Sequence, residues 1–167
     1  MESSFRARLT TVMCCILMFL GGYENLSAEE ALSAMSVWRD MVAPGSADQP
    51  LPPRKPWVIR ERPIAFDPQV LTILKDAGAR PHPPLTVELF DAAQYQLDII
   101  STLSKFNDSS VIRGVLKGQD RGEITLVVNG TTVGATIKIG QKPFKVEHIS
   151  NGRHRLLELD PAKLPPE

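Results

Sequence analysis

The sequence predicts a mainly β fold: an antiparallel meander of about seven strands curling into a sandwich or half-barrel, with one short helix and a flexible N-terminal region. Two kinds of residue agree on it. Tight-turn pairs recur at Asn129-Gly130, Gly140-Gln141 and Asn151-Gly152. Asn-Gly suits a type I′ turn, in which both central residues have positive φ, and Gly-Gln suits type II′. Taking each pair as the centre of a hairpin fixes the pairing. Leu126 falls opposite Val133, Ile124 opposite Ala135, Ile137 opposite Phe144 and Ala135 opposite Val146. In the last hairpin Val146 falls opposite Leu157, and Phe144 opposite Leu159. Side chains alternate along a strand, so these apolar residues share one buried face. Thr125, Thr132, Thr136, Lys138, Lys145, Glu147 and Glu158 take the other face, with Val127 and Leu156 as its apolar exceptions.

The elements before this sheet follow from local chemistry. Arg6 and Arg8 precede an apolar run from Val12 to Leu20, which is shorter than the roughly 20 residues of a membrane-spanning helix. A basic start, a short apolar stretch and small residues beyond it describe a secretory signal peptide over residues 1–28, cut near Ala28. Localisation is then secreted or periplasmic. Both cysteines, Cys14 and Cys15, lie inside that run. The mature chain would hold no disulfide, thiolate nucleophile or sulfur ligand. Residues 28–42 have helical composition, with Ala31, Leu32, Met35, Trp38 and Met41 near helical spacing. Residues 29–56 thus read as a marginal helix followed by a proline-rich linker.

A β-rich domain is expected over residues 57–167. Residues 57–62 read as a short strand, and Pro63 after it suits an edge or a strand end. Residues 68–77 read as a helix, with Asp67 as N-cap, Pro68 at the first position, Gly78 beyond the end, and Leu71 and Leu74 facing inward. Arg80 to Pro84 is a joint. Residues 85–91 alternate as a strand, and residues 95–106 form a longer one. There Ile100 breaks the alternation of Leu97 and Ile99, which predicts a bulge. Asn107-Asp108 makes a turn, residues 111–116 a further strand, and residues 118–122 the next turn.

Chemistry is sparse. The formal net charge of zero gives no global argument for nucleic acid or an anionic membrane, so neither is expected as a partner of the mature chain. The histidines are His82, His148 and His154. The turn-derived register sets His148 opposite Arg155 and His154 opposite Ile149. The two histidines then point to opposite faces and are poorly placed for a shared metal, and Glu147 becomes a diagonal neighbour of His154. Carboxylates are scattered at Asp91, Asp98, Asp108, Asp120 and Glu123. Arg113, Lys117, Arg121, Arg153 and Arg155 read as a solvated basic scatter. No zincin helix, phosphate loop or nucleophile elbow occurs. No catalytic, cofactor-binding or metal-ligating residue is assigned, and the chain is not expected to be an enzyme.

A set of short segments carries a resemblance. They are Ala65-Phe66-Asp67, Leu85-Thr86-Val87-Glu88-Leu89-Phe90-Asp91, Ile112-Arg113-Gly114-Val115-Leu116-Lys117-Gly118 and Gly122-Glu123-Ile124-Thr125-Leu126-Val127-Val128. Further along come Gly134-Ala135-Thr136-Ile137, Phe144-Lys145-Val146 and His154-Arg155-Leu156-Leu157-Glu158-Leu159-Asp160. In order and spacing they resemble the N-terminal prodomain of secreted bacterial reprolysin-like (metzincin) zinc metalloproteases. Such prodomains often carry an aromatic where Ile112 stands. In the family, the segment corresponding to residues 159–167 leads into a catalytic domain, which this sequence does not contain. The resemblance implies a secreted, non-enzymatic domain that binds a zinc metalloprotease as inhibitor or folding helper. The proline-rich segments and residues 161–167 are candidate contacts. The other readings are an extracellular or envelope interaction module with no protease partner, and a truncated protease gene product.

Overall fold

The computed structural model describes residues 34–41, 52–104, 108–150 and 152–165. The expected signal peptide, both cysteines and most of the linker lie outside these residues, as do Phe106, Asn107 and Asn151. Two minimal strands, β1 (Met35–Ser36) and β2 (Arg39–Asp40), precede β3 (Val58–Ala65), helix α1 (Pro68–Asp76) and β4 (Leu85–Glu88). A meander follows: β5 (Gln94–Ser104), β6 (Ser109–Lys117), β7 (Gly122–Asn129), β8 (Thr132–Ile139), β9 (Lys142–Ser150) and β10 (Arg153–Leu159). The described strands form one sheet in the order β1-β4-β5-β6-β7-β8-β9-β10-β3-β2.

The two ends of that order are one piece of chain. β1 pairs with β4 and β2 with β3, and only Val37 and Trp38 separate β1 from β2. The sheet therefore curls until its ends meet, as an almost closed barrel whose seam lies between β3 and β4. Backbone hydrogen bonds tie the bridging segment to both sides. Val37 N–H donates to the Thr86 carbonyl at 2.8 Å, and Met41 N–H to the Pro63 carbonyl at 3.2 Å. A strand residue presents its nitrogen and carbonyl on the same side, so the Pro63 nitrogen, which lacks a hydrogen, also faces the seam. Proline there costs no ladder bond to β10.

Side chains fill the interior. Ile64, Leu85, Ile112, Leu116, Ile124, Leu126 and Ile137 are buried, as is Trp38, whose indole N–H donates to the Glu88 carbonyl at 2.9 Å. Strand directions place the β3–α1–β4 connection and the β7–β8 turn at one end of the barrel, and the β4–β5, β6–β7 and β8–β9 turns at the other. α1 packs at the first end through Val70, Leu71 and Leu74. Its start follows the sequence: the Asp67 carboxylate accepts from Gln69 N–H at 2.8 Å, and Pro68 opens the helix. Burial of Leu74 stabilises the end cap by about 2 kcal/mol.

The structure corrects several sequence-based expectations. Residues 34–41 are not helical; their apolar residues serve the seam, where tertiary pairing overrides helix propensity. The mainly β class with one short helix is as expected, but among the described residues ten strands form where about seven are expected, and the sheet closes further than a sandwich or half-barrel. The β7–β8 turn is centred on Gly130-Thr131, so Leu126 pairs with Ala135, Ile124 with Ile137 and Val128 with Val133. Only Gly130 of that pair has positive φ, the pattern of a II′ turn. The shift moves the pairing by two residues, and the buried face survives it. The β8–β9 hairpin has the expected register, with Ile137 opposite Phe144 and Ala135 opposite Val146.

The last hairpin departs most. Ser150 pairs with Arg153 but His148 with His154, so Ile149 is an extra, bulged residue on β9. Every later residue of β10 changes face. Leu156, not Leu157, stands opposite Val146 inside the barrel. Phe144 and Val146 are split from Leu157 and Leu159, which form a separate outer cluster with Val58 and Trp57. Both adjacent leucines are buried, Leu156 inside the barrel and Leu157 in the outer cluster. The bulge expected near Ile100 is present, between Ile99 and Ser101.

Candidate functional site

Among the described residues no helix covers the end of the barrel away from α1, and the seam runs into it. β3 places Arg60, Arg62 and Ile64 on one face by alternation, opposite Glu158, Leu156 and His154 of β10. Ile64 joins the core, whereas the two arginines reach across the seam to β4 and the turn after it. Arg62 donates through Nη2 to the Glu88 and Leu89 carbonyls at 2.7 and 3.0 Å. Through Nη1 it reaches Asp40 at 3.0 Å and the Glu88 carboxylate at 3.3 Å. It therefore shares the Glu88 carbonyl with the Trp38 indole and adds a donor to the Leu89 carbonyl.

Arg60 stands one step nearer the mouth. Its guanidinium holds both oxygens of Asp91, Nη1 to Oδ1 at 2.8 Å and Nη2 to Oδ2 at 2.7 Å. Its Nε donates to Glu158. The fork fits a planar carboxylate, so this is a paired, charge-assisted contact. It holds the Asp91 carboxyl below the usual carboxylate range. The Phe90 ring lies under both cations, with guanidinium carbons 4.5 Å (Arg60) and 5.7 Å (Arg62) from its centroid, and it stacks on Phe144 at 6.4 Å.

The turn carrying these groups is strained. Residues Phe90–Ala92 make a single 3₁₀ turn in which Asp91 and Ala92 have φ of 59° and 56°. Aspartate tolerates that region, but for Ala92 a left-handed backbone costs about 1 kcal/mol or more. Between this turn and the β8–β9 turn lies a cleft of about 350 Å³. Leu89, Tyr95, Ile139 and Phe144 form its apolar part, and Arg60, Asp91, Asp120, Lys142 and Glu158 its polar part.

The other polar residues singled out in the sequence are dispersed. His82 Nδ1 contacts the Pro83 carbonyl in the joint before β4. Asp98 pairs with Lys117, and Asp108 with Lys75. Glu123 is exposed on β7 opposite Lys138, Arg113 is exposed on β6, and Arg153 donates to Ser150. Arg155 is not part of a solvated scatter: it is buried on the outer side of β10, between Glu61 at 3.0 Å, Glu147 at 2.9 Å and the Pro52 carbonyl at 3.2 Å. Burial alone would raise the Glu147 carboxyl, but hydrogen bonds from Arg155 and Lys145 outweigh it and hold it low.

The bulge at Ile149 brings together the two histidines that the expected register kept apart, and takes Glu147 to the opposite face from His154. His148 Nδ1 lies 3.3 Å from His154 Nε2, which also accepts from Val133 N–H at 3.0 Å. His154 is fully enclosed, with the Phe66 ring 4.8 Å away. Burial, and then the neighbouring His148, push its pKa down to about 4. Because Nε2 accepts, the neutral ring carries its proton on Nδ1. Among the described residues no group of three or more His, Cys, Asp or Glu side chains converges on one point.

Arg60, Arg62 and Phe90 were not singled out by sequence reasoning. The available signal is two cations at alternate positions just before Pro63, and an aromatic-aspartate pair, Phe90-Asp91, at the end of the expected strand 85–91. No helix among the described residues is long and apolar enough to cross a membrane. No protein-family model, curated protein or solved structure matches the chain.

Proposed function

We propose that this chain is an exported binding module that works by contact rather than catalysis, with the open barrel mouth as its contact site. The observation that carries this reading is the difference between the two ends. α1 covers one, whereas the other keeps a cleft with an apolar floor and a charged rim. Apolar concavities with a few placed polar groups, barrel mouths among them, are where ligands bind. The strained backbone at Asp91 and Ala92 sits on the same rim, and strain of this kind concentrates at binding sites. The test is an amide chemical-shift titration of the isotopically labelled chain against small carboxylates, amines, sugars and short peptides. Shifts confined to residues 89–95 and 139–144 are the expected result. Shifts confined to the α1 end, or none from any probe, would remove the mouth from consideration.

Export rests on the basic start and short apolar run before Ala28. Terminal sequencing of protein recovered outside the cytoplasm should find a chain beginning at Glu29. Chains that all retain Met1 would contradict it.

The sequence resemblance favours a second reading, in which the partner is a secreted zinc metalloprotease that this domain inhibits or helps to fold. An extended protease segment or the proline-rich stretches of this chain would supply main-chain pairing. Titration against a reprolysin-like protease, with residual activity and refolding yield as readouts, decides it. An effect on neither discards the protease partner.

A further inference from the structure

We infer that the mouth cleft takes a small organic monocarboxylate with an apolar tail, and that Asp91 occupies the ligand's place on Arg60 until it arrives. The inference rests on the mouth being the contact site, and names what it binds. The fork of Arg60 already holds one carboxylate in the two-oxygen geometry a guanidinium prefers, and that carboxylate belongs to an exposed turn. The turn that holds the fork carries two successive non-glycine residues in left-handed backbone. A competing carboxylate would let that strained turn relax. The displaced Asp91 has a second cation at hand, because Lys142 is near enough to contribute to its lowered pKa. Glu158 stays on Nε of Arg60 and keeps the guanidinium oriented through the exchange. Beside the fork, Phe90, Phe144, Leu89 and Ile139 offer a surface for an aryl or acyl tail.

An internal carboxylate that fills the fork most of the time lowers apparent affinity by the fraction of time the fork is free. Removing its charge should therefore tighten binding. The experiment is calorimetry and amide-shift titration of the full chain with 4-phenylbutyrate. 4-Phenylbutanol and 4-phenylbutylamine are the neutral and cationic controls. Asp91→Asn keeps a residue that tolerates left-handed backbone, and should bind 4-phenylbutyrate about tenfold more tightly than the parent chain. Arg60→Gln should lose that binding, and circular dichroism reports whether it remains folded. If Arg60→Gln does not fold, the gain in Asp91→Asn still decides. The inference is overturned if Asp91→Asn binds no more tightly, or if the alcohol or the amine binds as well as the acid. Should the amine alone shift the cleft amides, the carboxylate is wrong and the mouth stands. If no probe shifts them, both are wrong.

Discussion

Arg62 donates to the main-chain carbonyl of Glu88 at 2.7 Å, across the seam between β3 and β4, which have no ladder to each other among the described residues. Together with Met35–Asp40 pairing on both sides, it turns an open ten-stranded order into an almost closed one. Arg62→Met removes the Arg62 donor to the Leu89 carbonyl, leaves the Glu88 carbonyl with Trp38, and leaves the Glu88 carboxylate one partner fewer. The loss should be about 2–4 kcal/mol, read as a lower urea midpoint. Arg62→Lys keeps the charge but not the fork, and should fall between the two.

Val146 and Lys145 are neighbours in β9, with Val146 1% exposed and the Lys145 side chain 48% exposed. Val146→Asp places a carboxylate among Ala135, Leu156 and other core residues, where an unpaired charge costs several kcal/mol. Lys145→Asp should lower the melting temperature only slightly, through the lost pair with Glu147. Equal melting temperatures would mean that β9 does not present Val146 to the core.

Arg155 is enclosed with Glu61 and Glu147 on the outer side of β10. Arg155→Leu leaves two carboxylates without their shared cation, and should destabilise by about 3 kcal/mol in chemical denaturation. Adding Glu61→Gln and Glu147→Gln to it should restore part of that loss. No recovery would show that Arg155 acts mainly by packing.

His154 gives the fold a pH dependence whose sign is fixed. Its pKa is about 4 in the folded chain, against an ordinary value of 6.5. The unfolded chain therefore binds more protons between those values, and stability falls as pH drops through that window. The contribution is complete above about pH 6.5 and reaches up to roughly 3 kcal/mol. The ring faces His148, the Phe66 edge, the Val133 amide and the Gly152 backbone, none of which carries a full negative charge. Urea midpoints from pH 7 to pH 4 should decline less in His154→Gln, which can still accept from Val133 N–H. Parallel slopes in the two proteins would place the acid sensitivity elsewhere.

Legibility followed the range of the physics. Helix α1 was readable because Asp67, Pro68 and the apolar spacing act locally, and the β8–β9 hairpin because Gly140-Gln141 fixes its own register. Asn129-Gly130 gave the right buried face through the wrong turn, because a shift of two residues preserves alternation. The bulge at Ile149 was not readable: one extra residue leaves no local mark, and it reversed the faces of His154, Leu156 and Leu157. The seam was half legible. Pro63 suits an edge or a strand end, and β3 runs through it to Ala65, but nothing local shows that Met35–Asp40 would pair beside it. The mouth was illegible for the same reason, since Arg60 and Asp91 meet only after the sheet has closed.

Closure at the seam is the relation on which the mouth, the two arginines and the filled interior all depend, and amide hydrogen exchange with cross-seam proton contacts measures it directly. Slow exchange is expected at Val37 and Met41, whose N–H groups donate to Thr86 and Pro63, with contacts from Met35 to Leu85 and from Asp40 to Ile64. Exchange of both amides at the unprotected rate, with no contact from residues 35–40 to either β3 or β4, would mean that the sheet is open.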